Sequence, residues 1–184
     1  MQTIMKSPGL LGPYLRTRRI SAARQFLTGR VLDVGCNHGP LCDFVPADRY
    51  VGVDIRPEAI AQARRNHPAH CFMGVDDIDV DERFDTVAAL AVIEHVSEPE
   101  AWLRRWSAHV RPGGHVVLTT PHARWEPLVG LTSKVKLTNV GTDHGHETAF
   151  DRRSLHATVE AAGLRPTLYR TFLGGMNQLL VAER

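Results

Sequence analysis

The sequence is poor in the features that mark several common classes of protein. It has only three cysteines, an odd number without C-x-x-C spacing, which argues against a disulfide framework and a zinc ribbon and favours a reducing compartment. No apolar run approaches the roughly 20 residues that a membrane-spanning helix needs, and the first residues lack the apolar core of a secretory signal. We therefore expect a soluble, unexported, cytoplasmic protein with no membrane span.

Positive charge is neither abundant nor concentrated in the chain. The formal net charge is +2, and the arginines occur as short scattered runs, such as Arg64 and Arg65 or Arg104 and Arg105. A nucleic-acid-binding domain usually gathers its basic residues into a stripe, whereas paired arginines on helices are more often solvated. We therefore expect no nucleic-acid partner.

The hydrophobic pattern is that of one domain in which strands and helices alternate. With 184 residues, 43% of them hydrophobic, the chain suits a single domain, residues 1–184, with its own core. An amphipathic helix is predicted within residues 1–29. The predicted strands are 31–34, 50–53, 69–73, 85–90, 115–120, 166–172 and 177–182, and the later predicted helices are 39–44, 57–66, 98–110 and 151–162. Such alternation predicts a parallel sheet with helical crossovers.

Two further segments interrupt or end this alternation. Residues 111–114 predict a sharp turn before the fifth strand, and Gly174 and Gly175 join the last two strands into an antiparallel hairpin. Residues 121–149 are polar, rich in turn-forming residues and too long for a plain connector. We predict that they form an insertion over the substrate pocket.

The most informative motif is VLDVGCNHGPL, residues 31–41, a strand that runs into a turn with Gly35 and Gly39. Glycine lets the backbone approach a ligand closely. Asp54 follows at the tip of the second strand, where an acid accepts hydrogen bonds from ribose hydroxyls. A dinucleotide fingerprint would need further glycines, and Asn37 stands where its middle glycine would be. The motif therefore favours a nucleoside ligand over a dinucleotide.

This segment resembles motif I, D-x-G-x-x-x-G, of the class I S-adenosylmethionine-dependent methyltransferases, with Asp33, Gly35 and Gly39 in register. Residues 84–96, FDTVAALAVIEHV, and 110–121, VRPGGHVVLTTP, are similar to that family's fourth-strand and fifth-strand segments. The closest likeness is to its small-molecule enzymes, including the ubiquinone-biosynthesis O-methyltransferases. The resemblance implies a Rossmann-like, doubly wound α/β fold with a mostly parallel seven-stranded sheet and an antiparallel last strand.

The resemblance also implies S-adenosylmethionine as the cofactor and suggests which residues bind it. Gly35 would make room for the methionine portion, Gly39 would open the following helix, and Asp33 would order the turn. Asp54 would take both ribose hydroxyls, because a carboxylate is a pure acceptor. Ile55 would pack on the adenine face.

Two other pairs of residues complete the predicted cofactor site. Asp76 or Asp77 would accept a hydrogen bond from the adenine amino group; the adjacent acids leave the register open, with Asp76 favoured, and a solvated acidic loop is the alternative. Ala89 and Leu90 would line the methionine end with backbone carbonyls.

Methyl transfer from a sulfonium is an in-line displacement, so most of the catalysis can come from positioning. If the acceptor is a hydroxyl, the candidate general bases are His95, His122, His144 and His146, since imidazole titrates near neutral pH. We predict methylation of a small molecule at a hydroxyl oxygen. The alternatives are a nitrogen or carbon acceptor, methylation of nucleic acid or protein, and a non-catalytic partner subunit that only binds the cofactor.

The DHGHE sequence at residues 143–147 also suggests a metal site, with oxygen ligands beside His144 and His146. Two histidines spaced by one residue cannot share a helix face, however, and a third strong ligand is evident only if His122 folds over. We therefore predict no bound metal and assign this segment to a lid or wall of the acceptor pocket.

Overall fold

The computed structural model describes residues 12–125 and 148–184. The strands are β1 Val31–Val34, β2 Tyr50–Asp54, β3 Cys71–Gly74, β4 Phe84–Leu90, β5 Val110–Pro121, β6 Arg165–Phe172 and β7 Asn177–Glu183. The helices in the described ranges are α1 Gly12–Ala23, α2 Pro57–Asn66, α3 Pro99–Ser107 and α4 Arg152–Ala161, with short 3-10 turns at Arg24–Phe26, Ala47–Arg49, Ile93–His95 and Ala123–Trp125. In these ranges no helix is long and apolar enough to cross a bilayer.

The strands form one seven-stranded sheet in the order β3-β2-β1-β4-β5-β7-β6. Strands β1 to β5 pair in parallel, and β7 is antiparallel to both of its neighbours. This confirms the predicted mostly parallel sheet with an antiparallel last strand. The chain moves outward from β1 to β3 on one side and through β4 to β5 on the other, so the strand order reverses between β1 and β4. Ligands of open α/β sheets bind at the carboxyl ends of the strands beside such a reversal.

Helices cover both faces of the sheet. Because side chains alternate along a strand, Leu32 and Val34 of β1 join the core beneath α3 and α4, whereas Val31 joins the core that includes Ile20 of α1 and part of α2. Trp106 of α3 is only 2% exposed and belongs to the first of these cores. The doubly wound arrangement is therefore confirmed, and this tryptophan is a packing residue.

Residues 39–44 are not the short helix that the sequence predicts. They form successive turns, in which the Cys42 amide donates to the Gly39 carbonyl at 3.0 Å and the Val45 amide donates to the Leu41 carbonyl at 3.1 Å. Pro46 follows, and because proline has no amide hydrogen the helical hydrogen-bond series cannot continue. The prediction that Gly39 opens a helix is therefore wrong.

Residues 111–114 are also not a turn that separates helix from strand. Helix α3 ends at Ser107, and β5 is continuous from Val110. The pairing of β4 with β5 shifts register across this segment, which is how a bulge lengthens one strand relative to its neighbour. A Cβ at Gly114 would lie 2.7 Å from the Asp85 carbonyl oxygen, so the bulge can approach β4 only with glycine there.

Gln178 in β7 holds together both ends of the segment that follows β5. It is fully buried, and its amide nitrogen donates to the carbonyls of Pro121, at 3.1 Å, and Phe150, at 2.8 Å. Its oxygen accepts from the Tyr169 hydroxyl at 3.0 Å. One side chain thus fixes where the chain leaves β5 and where it returns before α4.

Asp33 in β1 is a buried acid beneath the carboxyl edge of the sheet. It is 3% exposed and accepts a hydrogen bond from the Tyr50 hydroxyl at 2.8 Å. Burial raises the pKa of Asp33 to about 7, although the Tyr50 hydrogen bond acts in the opposite direction. The folded protein therefore holds the proton on Asp33 at pH values where the unfolded chain has lost it.

We predict that Gln178→Leu lowers the free energy of unfolding by about 2–4 kcal/mol, because it removes three hydrogen bonds. The Pro121 carbonyl and the Tyr169 hydroxyl lose this partner, and the Phe150 carbonyl keeps its bond from the Ala123 amide at 2.7 Å. Urea denaturation measures the loss. The control is Tyr169→Phe, which removes one of the three hydrogen bonds and is expected to cost about 1 kcal/mol. Equal losses for the two variants would contradict this role of Gln178.

We also predict a pH dependence of stability from Asp33. Stability from a carboxyl with a raised pKa is fully present below its unfolded pKa and is lost as the pH rises through its folded pKa. Asp33→Asn keeps the size of the side chain and an acceptor for Tyr50. Its stability relative to the native chain should therefore rise between about pH 4 and about pH 7, by at most about 1.4 kcal/mol per pH unit. Parallel urea-denaturation profiles of Asp33→Asn and the native chain across this pH range would show that Asp33 does not titrate this way.

Candidate functional site

The glycine turn after β1 lies against the tip of β2. The amides of Gly35 and Cys36 both donate to the Val53 carbonyl, at 2.8 and 3.0 Å. Gly35 has a φ of +76°, and a Cβ there would lie 2.6 Å from Cγ2 of Val92. A side chain would therefore be strained and would collide with the segment that follows β4. The glycine at position 35 therefore allows the ends of β1, β2 and β4 to approach one another closely.

Asn37 connects this turn to the acid at the end of β2. Its φ of +51° is left-handed, a conformation that asparagine tolerates better than most residues. Its backbone amide donates to Oδ2 of Asp54 at 2.9 Å. Its side-chain Oδ1 is buried and has no hydrogen-bond partner within the described ranges. This oxygen is an acceptor that a ligand hydroxyl or amino group could satisfy.

Asp54 is only 5% exposed, and in this structure Arg56 occupies much of its hydrogen-bonding capacity. Oδ1 accepts from the backbone amide and Nε of Arg56, at 3.0 and 3.1 Å. Oδ2 accepts from the Asn37 amide and from Nη2 of Arg56, at 3.3 Å. Burial by itself raises the pKa of Asp54, but the hydrogen bonds from Arg56 and Asn37 together hold it below its ordinary value. The carboxylate is therefore ionised and ready to accept from hydroxyl donors.

A cleft of about 340 Å³ opens beside Asp54, between the ends of β2 and β3. Ile55 stands at the cleft and is 77% exposed, so its apolar side chain is accessible to a ligand. Ile60 and Val75 add apolar surface, and Asp77 contributes a polar group. Charged side chains of Asp54, Arg64 and Asp76 also line the cleft, so it offers a flat heterocycle such as adenine both apolar surface and hydrogen-bonding groups.

The two acids after β3 have different partners. Asp76 forms an ion pair with Arg105 of α3 at 3.0 Å, and its side chain is 87% exposed. Oδ2 of Asp77 accepts from the Gly74 amide at 3.1 Å. Both residues line the cleft, so the choice between them as the adenine contact stays a prediction.

The other predicted cofactor residues lie along the same edge of the sheet. Asp33 is the third residue of β1 and accepts from the Tyr50 hydroxyl of β2, and its role in ordering the turn stays a prediction. Ala89 and Leu90 are the last residues of β4. Gly39 lies farther along the turn, where a Cβ would be 2.8 Å from Cδ2 of His67.

The two candidate bases within the described residues, His95 and His122, lie on the β4 and β5 side of the site. His95 is exposed at the end of the 3-10 turn after β4. His122 is half-buried directly after β5, and its Nδ1 accepts from the Arg124 amide at 3.2 Å. His144 and His146 lie outside the described residues, as does most of the predicted substrate-cap insertion at residues 121–149.

Sequence reasoning missed several groups at this edge. Arg56 follows Asp54 in an Asp-x-Arg pattern, but nothing in that spacing shows that its guanidinium folds back on the carboxylate. The buried Oδ1 of Asn37 and the hydroxyls of Thr119 and Thr120 in β5 have no hydrogen-bond partner within residues 12–125 and 148–184. Such orphaned groups depend on tertiary packing, which local sequence patterns do not contain.

Comparisons with known proteins agree with this geometry. A Bradyrhizobium protein named ubiquinone biosynthesis O-methyltransferase is 38% identical over 108 residues, which cover 53% of this chain and 42% of that protein. A similar protein from Nitrobacter winogradskyi is 36% identical over 107 residues, or 53% of this chain and 40% of its own length. The chain thus spans about two fifths of the length of these curated relatives.

Solved structures share the fold at low sequence identity. A methyltransferase from Mesorhizobium loti, described as S-adenosylmethionine-dependent, superposes with a TM-score of 0.70 at 16% identity, covering 92% of this chain and all of that one. The model of a family described as "Methyltransferase domain" matches residues 13–168. Because this match includes the glycine turn, Asp54 and both sides of the cleft, the chain belongs to the methyltransferase domain family.

Proposed function

We propose that this chain binds S-adenosylmethionine and transfers its methyl group to a small molecule, at a hydroxyl oxygen. The observation that carries the proposal is the junction of Asp54 with the glycine turn through the Asn37 amide. This junction holds an ionised acceptor at the tip of β2 and a side-chain-free bend at the tip of β1. The carboxylate suits the two hydroxyl donors of a ribose. The glycine bend leaves space for the methionine portion that is attached to this ribose.

Within this proposal, Asp54 accepts both ribose hydroxyls after the Arg56 side chain has moved aside. The bonds from the backbone amides of Asn37 and Arg56 remain, so the carboxylate keeps its position during the exchange. Ile55 packs on the adenine, and Asp76 or Asp77 accepts from its amino group. Gly35, Ala89 and Leu90 surround the methionine end, and Asp33 keeps the turn in place from below.

Bound S-adenosylmethionine supplies an electrophilic methyl group on a positively charged sulfur. The contribution of the chain is to hold an acceptor against that methyl, and alignment alone can lower the barrier by several kcal/mol. For a hydroxyl acceptor, we propose that His95, His122, His144 or His146 takes the departing proton.

The proposed oxygen acceptor rests on the curated relatives, whose names specify O-methyl transfer in ubiquinone biosynthesis. We propose that residues 121–149 cover the acceptor, because Gln178 fixes both ends of this segment at the carboxyl edge of the sheet. We also propose a single domain that acts in the cytoplasm without a nucleic-acid partner. The scattered arginines support the lack of a nucleic-acid partner.

The test of the proposed function is isothermal titration of the purified chain with S-adenosylmethionine and, separately, with NAD. We expect one molecule of S-adenosylmethionine to bind and NAD to bind much more weakly, because the turn lacks the third glycine that seats a pyrophosphate. Methyl-labelled cofactor incubated with a metabolite extract should then label a small molecule. Preference for NAD would refute the cofactor, and binding without any label transfer would favour the non-catalytic alternative.

Substitution of Asp54 tests the central contact. We expect Asp54→Ala to weaken S-adenosylmethionine binding by about 1.5–3 kcal/mol, or at least tenfold in Kd, because two ribose hydroxyls lose a charged acceptor. Asp48→Ala is the matched control, since Asp48 is exposed and lies before the opposite end of β2. Arg56→Ala should bind the cofactor at least as tightly as the native chain, because no ion pair has to be broken. An unchanged Kd for Asp54→Ala would place the ribose elsewhere.

A further inference from the structure

A group of three metal-ligand side chains lies on the far side of the glycine turn from the cleft beside Asp54. Cys42, His67 and His70 each offer one ligand atom, and these atoms lie within 4.8 Å of one another. Cys42 belongs to the turns that follow Gly39, and the two histidines flank the turn between α2 and β3. We propose that Cys42, His67 and His70 bind a zinc ion.

The donor set matches the chemistry of zinc. One thiolate sulfur and two imidazole nitrogens are the ligands that Zn²⁺ prefers in proteins. With Zn–S near 2.3 Å and Zn–N near 2.0–2.1 Å, tetrahedral ligands lie roughly 3.3–3.8 Å apart. Side-chain movements of about an ångström therefore close the site around the ion. On coordination the Cys42 thiol gives up its proton to solvent.

The hydrogen bond that His70 makes to the backbone leaves its other ring nitrogen available to a metal. Its Nε2 lies 3.0 Å from the Val45 carbonyl oxygen, and because a carbonyl only accepts, Nε2 carries the proton when the ring is neutral. Nδ1 is then left with its lone pair. Ligating histidines in proteins typically bond a carbonyl or carboxylate through the second ring nitrogen in this way.

The backbone fixes the other histidine relative to His70. The amide of His67 donates to the Ala63 carbonyl at the end of α2, at 2.8 Å, and the His70 amide donates to the His67 carbonyl at 3.0 Å. The two rings are 5.8 Å apart between centroids and nearly perpendicular. This places two imidazoles beside one sulfur from a separate segment.

The site has both room and access. A Cβ at Gly39 would lie 2.8 Å from Cδ2 of His67 and 3.3 Å from Sγ of Cys42, so the missing side chain at Gly39 makes space for the cluster. Cys42 is 8% exposed, whereas both histidines are half-buried. An ion can therefore enter from solvent and keep a water molecule as its fourth ligand.

The consequence is a cross-link between the glycine turn and the turn that precedes β3. This inference does not rest on the proposed methyl transfer, since the cluster and the cleft beside Asp54 share no lining residue in the described ranges. The proposed zinc site differs from the expectation of no bound metal in the sequence analysis. That expectation concerned the histidines of residues 143–147, not Cys42, His67 and His70.

The experiment titrates the full chain, freed of metal with a chelator and desalted, with Zn²⁺ against a chromophoric competitor. We expect one ion per chain. Cys42→Ser, His67→Gln and His70→Gln should each weaken binding more than about a hundredfold, beyond the typical effect of losing an outer-shell partner. The matched controls are Cys71→Ser and the double variant His144→Gln, His146→Gln, which should bind as the native chain does.

Substitution with Co²⁺ keeps the test decisive if a ligand variant fails to fold. In a Cys36→Ala, Cys71→Ser chain, Cys42 is the only thiol, so a thiolate-to-cobalt charge-transfer band in the near ultraviolet identifies it as a ligand. Absence of that band, absence of stoichiometric Zn²⁺ binding, or loss of binding in the His144, His146 variant would overturn the proposal.

Discussion

The arrangement of the site depends on one hydrogen bond, from the Asn37 amide to the Asp54 carboxylate. It joins the turn after β1 to the tip of β2, at a point where Asn37 adopts a left-handed conformation between two glycines that also have positive φ. The same turn is also held by the amides of Gly35 and Cys36, which both donate to the Val53 carbonyl in β2. A short backbone segment is thereby fixed to β2, which leaves its open side to a ligand. Preorganisation of this kind reduces the ordering cost of binding.

Arg56 satisfies the buried Asp54 carboxylate. A buried carboxylate without donors would be costly, and the guanidinium supplies two of the four hydrogen bonds that Asp54 accepts. The arginine side chain is about half exposed, so it can return to water when hydroxyl donors replace it. The free energy of binding a ribose is then the difference between the hydrogen bonds that its hydroxyls form and those that Arg56 gives up. It is therefore smaller than the sum of the new contacts.

Much of the fold could be predicted from the sequence, because local patterns determine it. The predicted bounds of β1 and α2, 31–34 and 57–66, are those of the structure, and the predicted helix 151–162 is present as α4 with Asp151 as its N-cap. Residues 39–44 and the bulge at 111–114 were misassigned, since their conformation depends on packing against β4 and on the α2–β3 turn. The Arg56 contact and the Cys42, His67 and His70 cluster join residues from separate segments. No single-segment pattern contains that information.

The most direct measurement of the central claim is a crystal structure of the chain with S-adenosylhomocysteine. The account predicts both ribose hydroxyls within hydrogen-bond distance of the Asp54 carboxylate, the Asn37 amide bond retained and the Arg56 guanidinium displaced from its present position. A complex in which Arg56 still pairs with Asp54 while the adenosine lies elsewhere would contradict it.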